Sequence, residues 1–517
     1  MIDHGLSMTN PTTHREVERK LRVHALFRLP ALSGVTWGAA SVQPQPTFTM
    51  LNTYYDTSDL RLFRWGVTLR RREGGPDEGW HMKLPVEGAD AGTRDELQVA
   101  LTESAVVPDE LLDIVSALVR EAVVNPVVTL RTERTPILLL DAHGHPTAEL
   151  VDDTVAVLDG DRTAAIFREI EVEGVPGPDG DVDLAVLDDV VAALVEHGAV
   201  PGTTSKAAAA LGPRTSAPPD VPAARWPRPA DPAGEALRAH LATHVRRFLL
   251  NDVRLRRGLP DAVHQLRVSA RRLRSGLRVF RPLLDPQWAD DLRAELAWAA
   301  SSLGAARDTE VLIDRLDAHC ELLGPDDGAA VRAFIDPVLD QRLRDAEAAS
   351  LAMLSTDRYA RLTQALVAAV GDPHLTEAAQ EPCSQVLPPL VAKAFQRLAR
   401  DIKALGVSSP AEQWHEARIT AKKARYAAEA LAPVFGKRVD NLSSALADVT
   451  EVLGTHQDAY VAQTTLRELA DLADGPVGYR LGLLHAIEVS AELDDRKLFL
   501  AKTWPRARKA ARHSGML

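Results

Sequence analysis

The sequence predicts a multidomain α+β protein, an antiparallel β-barrel or meander followed by an all-α half, and three observations carry that prediction. Up to about residue 210, short runs alternate apolar and polar positions between glycine- and proline-rich turns. After about residue 233 the composition shifts to Ala, Leu, Arg and Glu with a 3.6-residue period. Between them, Gly212 to Pro232 carries proline too often for a helix or a central strand, and reads as a semi-rigid linker.

The expected strands are Glu16 to Val23, Phe48 to Tyr55, Val67 to Arg72, Trp80 to Leu84, Asp95 to Leu101, Val127 to Arg131, Ile137 to Leu140, Val155 to Leu158 and Ile166 to Glu173. Two helices interrupt them, Asp109 to Glu121 and Asp183 to His197. In the second half, two cationic segments repeat one pattern: His264, Arg267, Arg271 and Arg274, then His415, Arg418, Lys422 and Arg425. Helical offsets of 0, 3, 7 and 10 residues fall within a sector of roughly 80°, over about 15 Å of axis. Each copy is therefore a positive stripe. Each is followed about 40 residues later by an expected Leu-Gly turn with an acid: Leu303 and Gly304 with Asp308, and Leu453 and Gly454 with Asp458. The proline-rich stretch Asp372 to Pro389 marks the junction of two homologous helical bundles, halves of about 233–372 and 385–512.

Net charge is -12 over 517 residues, which argues against a general affinity for nucleic acid or an anionic membrane. The stripes stand out against that background. Ala262 to Leu284 holds six arginines and Ala417 to Ala428 four cations, neither with a carboxylate. Like charges one helical turn apart destabilise a helix, so the doubled pattern points to a polyanionic ligand. Two cysteines, Cys320 and Cys383, cannot build a disulfide framework or a thiolate zinc site and fit a reducing compartment. With no signal-like start and no 18-residue apolar run, a cytoplasmic location is expected and no membrane partner.

In the N-terminal half, Glu16, Glu18 and Lys20 share one strand face, and Glu169, Glu171 and Glu173 share another, with Leu21, Ile170 and Val172 opposite. Arg70 and Arg72 add a third charged face, and Lys83 sits in an otherwise apolar strand. A barrel with a charged interior explains all four. Cations there can bind phosphate oxygens while carboxylates hold a hard divalent ion, an arrangement suited to phosphoanhydride cleavage.

These residues carry a resemblance. Glu16, Glu18 and Lys20, the Tyr54 to Thr57 segment, Leu69 to Arg72, Arg94 with Glu96, Glu149 to Val155 and Arg168 to Glu171 resemble the CYTH domain of triphosphate tunnel metalloenzymes, over residues 10–211. The resemblance implies an eight-stranded antiparallel tunnel binding a triphosphate with Mg²⁺ or Mn²⁺. It implies phosphate contacts from Lys20, Arg70, Arg72, Lys83, Lys206 and either Arg131 or Arg134. Glu16, Glu18, Asp153, Glu169 and Glu171 would hold metal, and Glu16, Glu18, Lys20, Glu169 and Glu171 would form the catalytic set. Asp153 is preferred to Asp152, and Glu173 is expected at the barrel rim.

The stripes resemble the CHAD domain, over residues 233–512, which implies paired four-helix bundles with a pseudo-twofold repeat that bind inorganic polyphosphate. Arg247, Lys393 and Arg397 would add to the stripes, Arg272 and Lys423 would serve the rim or pair with carboxylates, and Asp308 and Asp458 would cap a helix or orient a stripe arginine. The expected function is metal-dependent hydrolysis of inorganic triphosphate or a related triphosphate, with polyphosphate held by the stripes and an association with polyphosphate granules. Two alternatives remain: a polyphosphate-binding protein without turnover, and a tunnel acting on an organic triphosphate, as thiamine triphosphatase and adenylate cyclase members do. Trp37, Trp65 and Trp80 leave room for a base pocket. Nucleic acid is not expected as a partner, since no stacking aromatics flank the arginines.

Overall fold

The computed structural model describes residues 12–30, 32, 39–86, 88–89, 92–177, 179 and 181–516, in two compact units, Met1–Asp220 and Val221–Leu517. Trp37 lies outside the described residues. In the first unit the described strands are β1 (Thr12–Val23), β2 (Ser41–Pro44), β3 (Phe48–Asp56), β4 (Thr68–Glu73), β5 (Gly79–Pro85), β6 (Thr93–Val99), β7 (Asn125–Leu140), β8 (Pro146–Asp159), β9 (Arg162–Gly174) and β10 (Val200–Gly202). The helices are α1 (Arg61–Arg64), α2 (Asp109–Val119), α3 (Leu184–Glu196) and α4 (Lys206–Leu211).

Pairing runs β1-β6-β5-β4-β3-β7-β8-β9 and returns to β1, with every pair antiparallel. This closed circuit is an eight-stranded barrel, to which β10 adds beside β1 and β2 beside β7. The two runs predicted on either side of Pro136 are one strand, β7. The missing proline N–H is tolerated because it falls where one partner gives way to the next: β3 pairing ends at Arg134 and β2 pairing starts at Ile137.

The alternation in β1 and β9 is resolved in an unusual direction. Leu21, Ile170 and Val172 face outward and are buried under Leu187, Val190 and Leu194 of α3. Burying each such side chain contributes on the order of 2 kcal/mol. The charged positions consequently face the lumen. Asp56 fixes the exit from β3, accepting backbone N–H bonds from Thr57 (2.6 Å), Leu62 (2.9 Å) and Phe63 (3.0 Å), which turns the chain into α1. This accounts structurally for the Tyr54 to Thr57 motif.

The second unit is helical: α5 (Ala233–Arg256), α6 (Ala262–Val279), α7 (Pro286–Ser302), α8 (Gly304–Cys320), α9 (Pro325–Leu354), α10 (Asp357–Gly371), α11 (Cys383–Val386), α12 (Pro388–Lys403), α13 (Ala411–Phe435), α14 (Lys437–Ala470), α15 (Gly475–Leu498) and α16 (Trp504–His513). α6 packs on α5 and α7, α13 packs on α12 and α14, and α6 and α13 meet each other, so the two stripe helices hold equivalent places. The expected Leu-Gly turns differ, however. Leu303 separates α7 from α8, whereas Leu453 and Gly454 lie inside the unbroken α14. Glycine alone does not end a helix whose flanks are well packed, and Leu446, Leu453 and Ala459 are buried on both sides of it.

The proline-rich segment divides at Asp220. Pro218 accepts from Arg64 (2.7 Å) and Asp220 from the Trp65 indole (2.9 Å) in the first unit. Asp231 and Pro229 accept from the backbone of Cys383 (2.9 Å) and Ser384 (2.8 Å) in the second.

Candidate functional site

The barrel lumen is a cavity of about 670 Å³ lined by charged side chains from opposite walls, among them Glu16, Lys20, Arg70, Arg72, Lys83, Arg134, Glu171 and Lys206. Cross-strand register puts them there: Lys20 lies opposite Glu171, Arg134 opposite Asp153, and Asp153 opposite Glu169. Lys20 sits 2.8 Å from Glu18 and 2.9 Å from Glu171. Glu171 also meets Lys206 at 2.6 Å and Arg134 at 3.1 Å. Lys206, delivered by α4, reaches Glu169 (2.7 Å) and Asp153 (3.0 Å), and Arg134 donates a fork to Asp153 at 2.9 and 2.7 Å. On the other wall Lys83 pairs with Glu16, Arg70 with Glu96 (3.3 Å) and Arg72 with Asp77.

These contacts set the protonation states. Burial works against the charge of Glu171, but Lys20, Lys206 and Arg134 outweigh it and hold the carboxyl well below its ordinary value. Burial wins at Glu169, whose pKa is raised despite Lys206. Glu173 is pushed up to about 8 by burial and by the neighbouring Glu16 and Glu18.

Several expectations are thereby placed. Arg134 faces the lumen and Arg131, three residues away on the pleat, is exposed outside. Asp153 is in the lumen, while Asp152 faces out and pairs with Arg168. Glu173 is not confined to the rim: it lines the cavity, because it has the parity of Glu171. The same parity signal would have found Glu149 and His81, which also line it. Trp65 and Trp80 are core side chains, 4% and 0% exposed, and offer no base platform.

The five expected metal ligands offer only carboxylate oxygens, the donor type hard divalent ions take. Among the described residues no three His, Cys, Asp or Glu converge into a ready ion cage, since lysine and arginine head groups stand between them. The set fits an ion held by one or two carboxylates together with phosphate oxygens.

In the helical unit the stripes face each other across α6 and α13. They border a cleft of about 790 Å³ lined by Arg271, Arg274, Arg278, Lys393, Arg397, His415, Arg418, Lys422 and Lys423, with no carboxylate in its lining. The Nε atoms of Arg271 and Arg418 are buried without a hydrogen-bond partner. Burial, then Arg418, Arg271 and Arg267, push the Lys422 amine down to about 7. Arg267 donates to Asp308 at 2.8 Å, placing that acid as an arginine's partner. Asp458 is mid-helix in α14, so it caps nothing, and its charge acts on Arg418. His264, Arg267, Arg425 and Arg247 are not in the cleft lining. Arg425 turns instead to Glu429 (2.7 Å) and Thr450 (2.8 Å), Arg247 is exposed on α5, and Arg272 pairs with Glu429.

Comparison with known proteins matches residues 14–181 to the CYTH domain and 239–467 to the CHAD domain. Two uncharacterized proteins of Mycobacterium tuberculosis, from strains CDC 1551 and H37Rv, are each 33% identical over 513 residues, covering 94% of this chain and 94% of their own. Among solved structures, PptA from Streptomyces chartreusis is 26% identical over 53% of this chain and 99% of its own, with a TM-score of 0.47. The CHAD domain from the plant Ricinus communis is 26% identical over 54% and 95%, with a TM-score of 0.45.

Proposed function

Because the chain belongs to the family that joins a CYTH triphosphate tunnel to a CHAD domain, we propose that its barrel hydrolyses inorganic triphosphate and that its helical cleft holds polyphosphate. The observation that carries the first part is the mixed lumen, where Lys20, Arg70, Arg72, Lys83, Arg134 and Lys206 alternate with Glu16, Glu18, Asp153, Glu169 and Glu171. The cations bind the non-bridging oxygens of the phosphate chain and hold it along the lumen. Mg²⁺ or Mn²⁺, held by one or two of Glu16, Glu18, Asp153, Glu169 and Glu171 together with the substrate, would neutralise charge on the phosphate oxygens.

Water then attacks the terminal phosphorus as its bridging P–O bond breaks, leaving orthophosphate and diphosphate. In this scheme Glu169 accepts the proton of that water: burial raises its pKa, whereas Lys20, Lys206 and Arg134 hold that of its neighbour Glu171 down.

Purified protein with Mg²⁺ or Mn²⁺ should release phosphate from tripolyphosphate faster than from thiamine triphosphate or ATP. Glu169→Ala should lower kcat at least about 10²-fold with the barrel still folded. Faster turnover of an organic triphosphate would overturn the substrate assignment, and unchanged turnover in the variant would overturn the role of Glu169. Turnover of none of the three would leave the polyphosphate-binding reading alone.

A further inference from the structure

The two stripes are not equivalent beyond their histidine-led pattern. The residue fourteen positions after the stripe histidine is Arg278 in α6 and Glu429 in α13. Arg278 lines the cleft, at the end where Lys393 and Arg397 of α12 extend its cationic wall. Outside the lining, one helical turn beyond the cleft residue Tyr426, Glu429 accepts from Arg425 on its own helix at 2.7 Å and pairs with Arg272 across the α6–α13 interface. Arg272 also lies over the Tyr426 ring, 5.2 Å from its centroid, and Tyr426 is itself a cleft residue. Had Glu429 matched its counterpart, Arg272, Arg425 and the exposed Arg247 beyond them would continue the positive surface. One carboxylate interrupts it.

We infer that Glu429 closes one end of the cleft, making it a one-ended site in which a polyphosphate chain is seated from Lys393 and Arg397 as far as Lys422 and goes no further. This rests on the reading of the cleft as a polyphosphate site. The anion meets cleft-lining cations up to Arg271 and Arg418, whose Nε atoms have no hydrogen-bond partner. Past them it meets a carboxylate whose arginines are already engaged. Continuing there means displacing Glu429 from its hydrogen bond with Arg425 and its ion pair with Arg272, and the repulsion between carboxylate and phosphate adds to that cost.

The test is binding of long-chain inorganic polyphosphate to the full-length protein across a salt series. Glu429→Gln should bind on the order of tenfold more tightly, and the slope of log affinity against log salt should steepen by about 0.7 for each arginine freed. Glu429→Asp, which keeps the charge, should bind like the wild type. Arg278→Glu, which places a carboxylate at the open end, should weaken binding at least about tenfold. Unchanged affinity and slope in Glu429→Gln, with a melting temperature that shows it folded, would overturn the inference and leave Glu429 as a bridge between helices only. Should Glu429→Gln not fold, unchanged affinity in Arg278→Glu overturns it instead. Absence of polyphosphate binding by the wild type would remove the underlying reading and this inference with it, a result distinguishable from both.

Discussion

Lys422 gives the sharpest prediction about the helical unit. Its amine is pushed down to about 7, first by burial and then by Arg418, Arg271 and Arg267, so near neutral pH the free protein carries it half charged. A polyphosphate seated against it adds negative charge and restores the pKa toward its ordinary value, so binding is coupled to proton uptake. The sign follows: affinity is full below pH 7 and is lost as pH rises through 7. With the charged fraction falling from about 0.9 at pH 6 to about 0.03 at pH 8.5, affinity should drop about thirtyfold, or about 2 kcal/mol. Calorimetry at constant ionic strength, in buffers of different ionisation enthalpy, should register about half a proton taken up at pH 7 and close to one at pH 8.5. Lys422→Arg, charged throughout, should flatten both curves and so separate Lys422 from the titration of the polyphosphate ends. An equal pH dependence in Lys422→Arg, or no proton uptake in the wild type, would refute the reasoning.

The barrel offers a paired test of strand parity. Arg134→Gln, which takes the fork away from the fully buried Asp153, should cost about 2 kcal/mol of stability and lower kcat/KM for tripolyphosphate at least about 10²-fold, whereas Arg131→Gln on the outer face should leave turnover within about twofold. Equal losses in the two variants would contradict the lumen assignment. In the helical unit, a Cβ on Gly276 would lie 2.1 Å from Nε2 of the buried His240, so Gly276→Ala should cost about 2 kcal/mol and lower Tm by about 5 °C. The double variant His240→Ala with Gly276→Ala, read by the same thermal scan, should recover part of that loss. Finally, Asp56→Ala strands three backbone N–H groups at the β3 to α1 turn and should destabilise the barrel by about 2 kcal/mol in denaturant titration.

Much of the tunnel was legible because strand periodicity is a strict rule. Once Glu16, Glu18 and Lys20 share a face, every lumen residue of that strand is determined, and the same parity covers Glu169, Glu171 and Glu173. Glu173 stands one residue from the end of β9 and, by the same parity, also lines the cavity. Arg131 and Arg134 could not be separated in the sequence because the choice depends on the register of β7 against β3 and β8, which local pattern does not encode. In the helical half the stripe positions were visible, but their partners were not. Arg425 obeys the helical spacing and is nevertheless drawn out of the cleft by Glu429, four residues on, and by Thr450 from α14. Helical periodicity states which way a side chain starts; a flexible arginine is then claimed by whichever acceptor lies within reach.

The two sites hold their cations in opposite electrostatic states, and that difference bears on how each exchanges its ligand. In the barrel Lys20, Lys206 and Arg134 are already paired with carboxylates at 2.6 to 3.1 Å. A triphosphate entering there would gain only the difference between phosphate and carboxylate partners, so the proposed turnover implies modest ground-state affinity and ready product release. In the cleft, Arg271, Arg418 and Lys422 repel one another, and the carboxylates that offset this only in part, Asp308 and Asp458, lie outside the lining. Folding bears that repulsion, and a bound polyanion recovers it as affinity. A site meant to retain a chain benefits from this stored repulsion, whereas a site meant to turn over does not. On this reasoning, introducing a carboxylate into the cleft by Arg278→Glu should speed polyphosphate release more than it slows capture, because short-range charge pairing acts chiefly on the dissociation rate. Stopped-flow measurement of both rates would show it, and an effect confined to the association rate would mean that the cleft attracts polyphosphate from a distance rather than holding it by unpaired arginines.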